Sequence, residues 1–288
     1  MINEMTVSDQ LDLSQLLTGR EHEIKALDEL FARSASYRVG KNFLALLQFI
    51  NRLPRLSPFN AFLIQMQHPG VEYVTTAYHW DRDFNRRPKR DARPLVILVP
   101  FGPVSFVYDV SETDGDPIPP EALRPFNTHG QLPKPVYDLT LENCKRDSVP
   151  VYESDFGSGK AGYATRRQGD FSISINRNYT LEDRYSTLAH ELGHIFSGHV
   201  GTTPHTWWPD RSKASHEVKE IEAESISFLV CKRLGLGTTS EEYLASYVER
   251  QEEFPPFSLE TVLTVSGYIE RMGKERLRPR KADETKKR

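Results

Sequence analysis

The pentapeptide His190-Glu191-Leu192-Gly193-His194 constrains this chain more than any other stretch. On an α-helix, two histidines four residues apart leave the same face one turn apart. Their imidazoles can then share one divalent ion, and a glutamate directly after the first stands where it can polarise water on an open coordination position. A fold that uses this arrangement must hold the helix rigidly and bring a further ligand to it from elsewhere in the chain. The flanking residues agree with a helix. Thr180 and Asp183 have capping-box spacing, with Asp in place of Glu or Gln. Leu181, Leu188, Leu192, Ile195 and Phe196 recur at helical spacing, and Gly198 and Gly201 offer places to stop. Upstream, residues 171–176 alternate apolar and polar as a half-buried strand does, and a strand before such a helix commonly holds the backbone of an extended ligand.

A structural zinc has four protein ligands, whereas a catalytic one has three and a water. His199 is one candidate for the third. The spacing that makes a third histidine a ligand is ten residues after the first, and that position is Val200. His199 therefore reads as a helix-end histidine. Glu220 and Glu224 lie one turn apart at the start of a second helical run through Ile221, Ile226, Phe228, Leu229, Val230 and Leu234, with Gly235 at its C-cap. Glu220 is the expected third ligand. Glu224 is expected to accept an N–H from a ligand histidine. Glu222 points elsewhere and reads as part of a solvated face. Zinc is the expected ion, with another divalent metal such as manganese as the alternative, and Glu191 is the expected catalytic base.

The chain has 288 residues, long enough for two modest domains. Hydrophobic residues make up 38% and the mean hydropathy is −0.54, and no apolar run approaches the ~20 residues of a membrane helix, so no membrane partner is expected. The first residues lack the basic and apolar regions of a signal peptide. The two cysteines, Cys144 and Cys231, are far apart, which fits the cytoplasm and no disulfide framework, with Cys231 expected as a buried thiol. The net charge is −3, unevenly spread. Residues 271–288 hold nine basic against three acidic residues, a local +6, which leaves −9 for the rest. This end reads as a disordered basic tail.

In the N-terminal half, residues 21–33, 43–53 and 58–67 have helical periodicity, and residues 71–76 read as a strand. Residues 95–100 and 104–109 are β-rich and separated by Phe101-Gly102-Pro103, which signals a hairpin. Before them, residues 81–93 hold six basic and three acidic residues, with Trp80 just ahead and Phe84 inside. Basic residues interleaved with aromatics suit a single-stranded nucleic acid, although composition alone favours a charged loop. Residues 116–135 read as a connector, with a domain boundary near residue 145.

Several of these stretches together resemble the antirestriction protein family ArdC. Ser57-Pro58-Phe59-Asn60-Ala61-Phe62-Leu63-Ile64 is similar to the S-x-x-N-A-x-L-(I/L) helix of that family's N-terminal domain. Trp80, the basic loop and Leu95-Val96-Ile97-Leu98-Val99-Pro100 resemble its tryptophan, basic loop and apolar strand. Val107-Tyr108-Asp109-Val110-Ser111-Glu112-Thr113-Asp114-Gly115 resembles its V-F-D-(V/I)-(S/Q)-Q-T-x-G strand end. The pentapeptide and residues 220–235 resemble the family's metallopeptidase half, which is also similar to the ImmA/IrrE peptidases. The likeness spans roughly residues 40–250. It departs in the basic loop, which lacks the family's glycines, and at Glu112, where glutamine is common.

The resemblance implies an α+β protein. An N-terminal α/β domain over residues 1–145 would bind single-stranded DNA. A small zincin, gluzincin-like metallopeptidase domain over residues 146–270 would follow, and then the tail over 271–288. It implies His190, His194 and Glu220 as metal ligands, with Glu224 one turn later. It implies a protein or peptide substrate for the second domain. It implies nucleic-acid contacts by Trp80, Arg86, Arg87, Lys89, Arg90 and Arg93 in the first. The alternative is a single-stranded-DNA-binding, antirestriction-type protein whose metal site is structural or vestigial.

Overall fold

The computed structural model describes residues 40–99, 102–119, 130–157, 160–238, 240, 243–245 and 255–278. The expected helix over 21–33, the turn at Phe101 and the end of the basic tail lie outside the described residues. The chain divides into two compact units, each taken by itself below. Residues 44–127 fall in the first unit and residues 128–288 in the second.

The first unit contains most of α1 (Gly40–Arg52), then α2 (Pro58–Gln67), β1 (Val74–Thr75), α3 (Ala77–Phe84), β2 (Arg86–Pro88), β3 (Leu95–Val99), β4 (Gly102–Asp109) and β5 (Thr113–Gly115). Ser57 caps α2 by accepting the Asn60 backbone N–H, and Pro58 occupies the first helical position, where a missing N–H costs nothing. A three-stranded antiparallel sheet has the order β1-β4-β3, and β2 pairs with β5 in a separate ribbon. Among the described residues β3 is thus an edge strand, and α2 closes that edge. The Asn60 carboxamide donates to Leu98 O and accepts from Leu98 N–H, and the Gln67 carboxamide does the same with Val96. Four backbone groups that would otherwise invite another strand are satisfied by two side chains.

The second unit is built on α4 (Lys134–Arg146), β6 (Val151–Ser154), β7 (Gly162–Arg167), β8 (Asp170–Asn176), α5 (Leu181–Phe196), α6 (His216–Lys232) and α7 (Leu259–Lys274). Its sheet has the order β6-β8-β7, with β6 parallel and β7 antiparallel to β8. The expected alternation holds in β8: Phe171, Ile173 and Ile175 are buried, and Ser172 and Ser174 are half-buried. Its place differs from the expectation. β8 is the central strand, paired on both sides, so it cannot take an added strand; among the described residues β7 is an edge. α5 packs across β7 and β8, and α6 and α7 pack in turn on α5. Residues 271–278, expected within the tail, complete α7 and follow it into the core, where Leu277 is buried. No helix among the described residues is long and apolar enough to cross a membrane.

Candidate metal centre

α5 starts where its capping residues say it should. Thr180 accepts the Asp183 N–H and donates its hydroxyl to the Asp183 carboxylate. The helix ends at Phe196 with Ser197 as its C-cap, and the chain turns away at Gly198, whose φ of +75° is the left-handed conformation that glycine adopts without strain; a Cβ there would stand 1.9 Å from the Pro209 carbonyl oxygen. Gly193, inside the pentapeptide, has a different purpose. A Cβ on it would lie 3.3 Å from the Cα of Ala223, so glycine lets α5 and α6 approach closely at this level. That approach carries Glu220 and Glu224, on either side of Ala223 along α6, to the histidines of α5.

His190 Nε2 and His194 Nε2 are 3.1 Å apart. Glu220 Oε1 lies 3.5 Å from His194 Nε2, and its Oε2 lies 3.8 Å from His190 Nε2. Two donors bound at about 2.0–2.1 Å to a tetrahedral ion stand about 3.3–3.4 Å apart. The histidine separation and the distances to the two Glu220 oxygens bracket that value, and one atom from each residue lies within 4.8 Å of the others, so side-chain adjustment would let the three share one ion. Charge agrees. Burial opposes protonation of His190, but the Glu224, Glu191 and Glu220 carboxylates outweigh it and raise its pKa. The site therefore carries negative charge in want of a cation. His194 is pushed down to about 2 by burial and by the neighbouring His190 and His199, which leaves it a neutral imidazole. Two imidazoles and a carboxylate form a donor set that suits zinc and accepts manganese.

Glu224 faces the other nitrogen of His190, its Oε1 3.5 Å from Nδ1. Burial works against its charge, yet the hydrogen bond and charge of His190 hold its carboxyl below the ordinary range. Glu191 is buried and turned towards the sheet: its Oε2 accepts the Ala164 N–H of β7 at 2.7 Å. Burial raises its pKa against the opposing pull of His190 and that N–H, which brings a carboxylate towards the range of a general base. His216 stands at the mouth, its side chain 88% exposed and its Nδ1 3.5 Å from Glu220 Oε1.

Two expectations need correction here. Glu222 is not solvated. It has no exposed surface, and its carboxylate accepts from Arg211 through both guanidinium branches at 2.6 Å, from the Ser258 N–H at 2.7 Å and from His199 Nε2 at 2.8 Å. His199 is not a loose helix-end residue either. It is buried, and its Nδ1 lies 3.0 Å from His194 Nδ1. A signal for Glu222 was present: Val218, Glu222, Ile226 and Leu229 lie along one face of α6, and an acid within a buried stripe requires partners.

The residues expected to meet nucleic acid are differently placed. Trp80 is fully buried, donates its indole N–H to Tyr108 O and packs edge-on against Tyr73, so it offers bases no face to stack on. Arg86 is engaged by Thr113, Gly115 O and Asp116 O and stitches β2 to β5, while Lys89 Nζ donates to Ser111 O. Arg87 pairs with Asp81 but keeps 81% of its side chain in solvent, and Arg90 and Arg93 are exposed. Of the expected surface, Arg87, Lys89, Arg90 and Arg93 are exposed, and Trp80 is withdrawn into the core.

No family model matches the chain, and no curated protein matches it. Two solved structures are similar to it: the crystal structures of the antirestriction protein ArdC from the R388 plasmid, one Mn(II)-bound and one metal-free. They are 14% and 13% identical, and each comparison covers 76% of this chain and 82% of that chain at a TM-score of 0.35. At that identity and TM-score the likeness assigns neither residues nor an activity.

Proposed function

We propose that the second unit is a metal-dependent peptidase of the zinc type, with His190, His194 and Glu220 holding the ion and Glu191 acting on water and substrate. The observation that carries this reading is the convergence of three ligand atoms on one point beside a buried glutamate that is anchored to an edge strand. A divalent ion held there supplies Lewis acidity, polarising a carbonyl and acidifying water. Glu191 takes the proton of the attacking water on its Oε1, because its Oε2 is engaged by Ala164. It then returns the proton to the departing amine. β7 supports an extended substrate. Ala161 O accepts from Asn176 N–H towards β8, whereas Ala164 N–H turns away from β8 to Glu191. By the alternation of an antiparallel ladder, the backbone groups of Gly162, Ala164 and Arg166 face outward; the Ala164 N–H is taken by Glu191, and a peptide could pair with the Gly162 and Arg166 groups and the Ala164 carbonyl.

Glu191→Gln tests this reading. It should retain the metal, measured by elemental analysis, and lose cleavage of unfolded protein or mixed-sequence peptide. A variant that cleaves as fast as the wild type would remove Glu191 from the chemistry. A second reading has the ion as a structural cross-link, with single-stranded DNA bound by the first unit in an antirestriction-type role. It is favoured by the exposed Arg87, Arg90 and Arg93 of the first unit. A wild type that binds metal, cleaves nothing under any condition and retains single strands in a salt-dependent way would select it.

A further inference from the structure

Behind the candidate ligand His194 runs a chain of polar groups that the peptidase reading does not use: the buried His199 and Glu222 and the half-buried Arg211. We propose that His199 and Glu222 are positioning residues that fix His194 as the tautomer able to bind a metal through Nε2. The inference rests on the metal reading above and adds what holds one ligand in its binding form.

The direction of each hydrogen bond follows from its neighbour. Arg211 does not deprotonate and donates to both oxygens of Glu222 at 2.6 Å, so Glu222 is held as a carboxylate and can only accept. His199 Nε2, 2.8 Å from Glu222 Oε2, is therefore the donor. In a neutral imidazole the other nitrogen is then an acceptor, so His199 Nδ1 accepts from His194 Nδ1 across 3.0 Å. With its proton on Nδ1, His194 carries its lone pair on Nε2, the atom that faces His190 Nε2 and Glu220. Reversing any link would place a proton on Nε2 and close it to a cation.

The backbone builds the relay as deliberately as the side chains. Gly198, in its left-handed conformation, turns the chain so that His199 N–H donates to His194 O at 2.9 Å, and the second imidazole comes back under the first. Gly198 O in turn accepts from Arg211 N–H at 3.0 Å, which brings the guanidinium to the far side of Glu222. His190 faces a carboxylate directly at its Nδ1, Glu224 at 3.5 Å. The two ligand histidines are thus oriented by different devices, one by a carboxylate directly and the other by a carboxylate acting through a second imidazole.

Three proteins test the proposal: wild type, His199→Phe and His199→Gln. Phenylalanine keeps the ring and removes both nitrogens. Glutamine can accept from His194 and donate to Glu222 with one amide. Zinc affinity is read by competition with a chelator, and the tautomers by nitrogen-15 histidine spectra of the metal-free wild type. The expected spectrum has His194 protonated on Nδ1 and His199 on Nε2. Zinc affinity should fall about 10–100-fold in His199→Phe, the usual effect of losing such an outer partner, and recover in His199→Gln. His194 protonated on Nε2 in the metal-free wild type overturns the proposal even if His199→Phe does not fold. Equal affinity in wild type and His199→Phe overturns it with the metal reading intact. A wild type that takes up no zinc overturns the metal reading and the proposal together.

Discussion

Removing Glu220 should weaken metal binding more than removing Glu224, and the difference can be worked out from which nitrogen each carboxylate faces. Glu220 presents its two oxygens to the Nε2 atoms of both histidines, at 3.5 and 3.8 Å, which is where an ion would sit. Glu224 presents its Oε1 to His190 Nδ1 at 3.5 Å, on the far side of the ring. Loss of an outer partner typically costs about 10–100-fold in affinity, or about 1.4–2.8 kcal/mol. Glu224→Ala should fall in that window. Glu220→Ala should fall beyond it, because it deletes a donor atom and a negative charge that faces both Nε2 atoms. Chelator competition with zinc measures both variants, and the thermal midpoint of each metal-free protein controls for damage to the fold. Neither carboxylate belongs to the apolar core, so those midpoints should stay close to wild type. An equal loss in the two variants, or a larger one at Glu224, would refute the assignment of Glu220 as the ligand.

Trp80→Ala should destabilise the first unit by about 3–5 kcal/mol, since it removes a fully buried aromatic and the donor to Tyr108 O. Denaturant unfolding followed on that unit checks this, and a change under about 1 kcal/mol would return Trp80 to the surface. Gly198→Ala should cost at least about 1–2 kcal/mol for the left-handed backbone, and more for the displacement of Pro209. Because Gly198 also places His199, zinc affinity should fall with stability, and a variant that melts and binds like wild type would contradict the geometry given for this turn.

What was legible in the sequence was whatever depends on neighbours a few residues apart. The Thr180 cap, the apolar stripe of α5, the stop at Gly198, the Ser57–Pro58 start of α2 and the alternation in β8 are all local, set by backbone hydrogen bonding and side-chain period. The two histidines share a face for the same reason. That the acidic pair of α6 should meet them was readable as chemistry. The distances came from the close approach of two helices at Gly193, which a one-dimensional pattern does not contain. Only the tertiary structure decided which strand lies at an edge, because that depends on what pairs beside each strand and not on its own residues. It also decided the fate of polar and aromatic groups whose type suggests solvent or ligand. Trp80 and Arg86 were absorbed by the core and by strand ends, and Glu222 found Arg211, Ser258 and His199 from three separate segments. A buried charge is tolerated only when partners converge on it. Such convergence depends on residues distant in the chain, so it becomes visible only once the chain has folded.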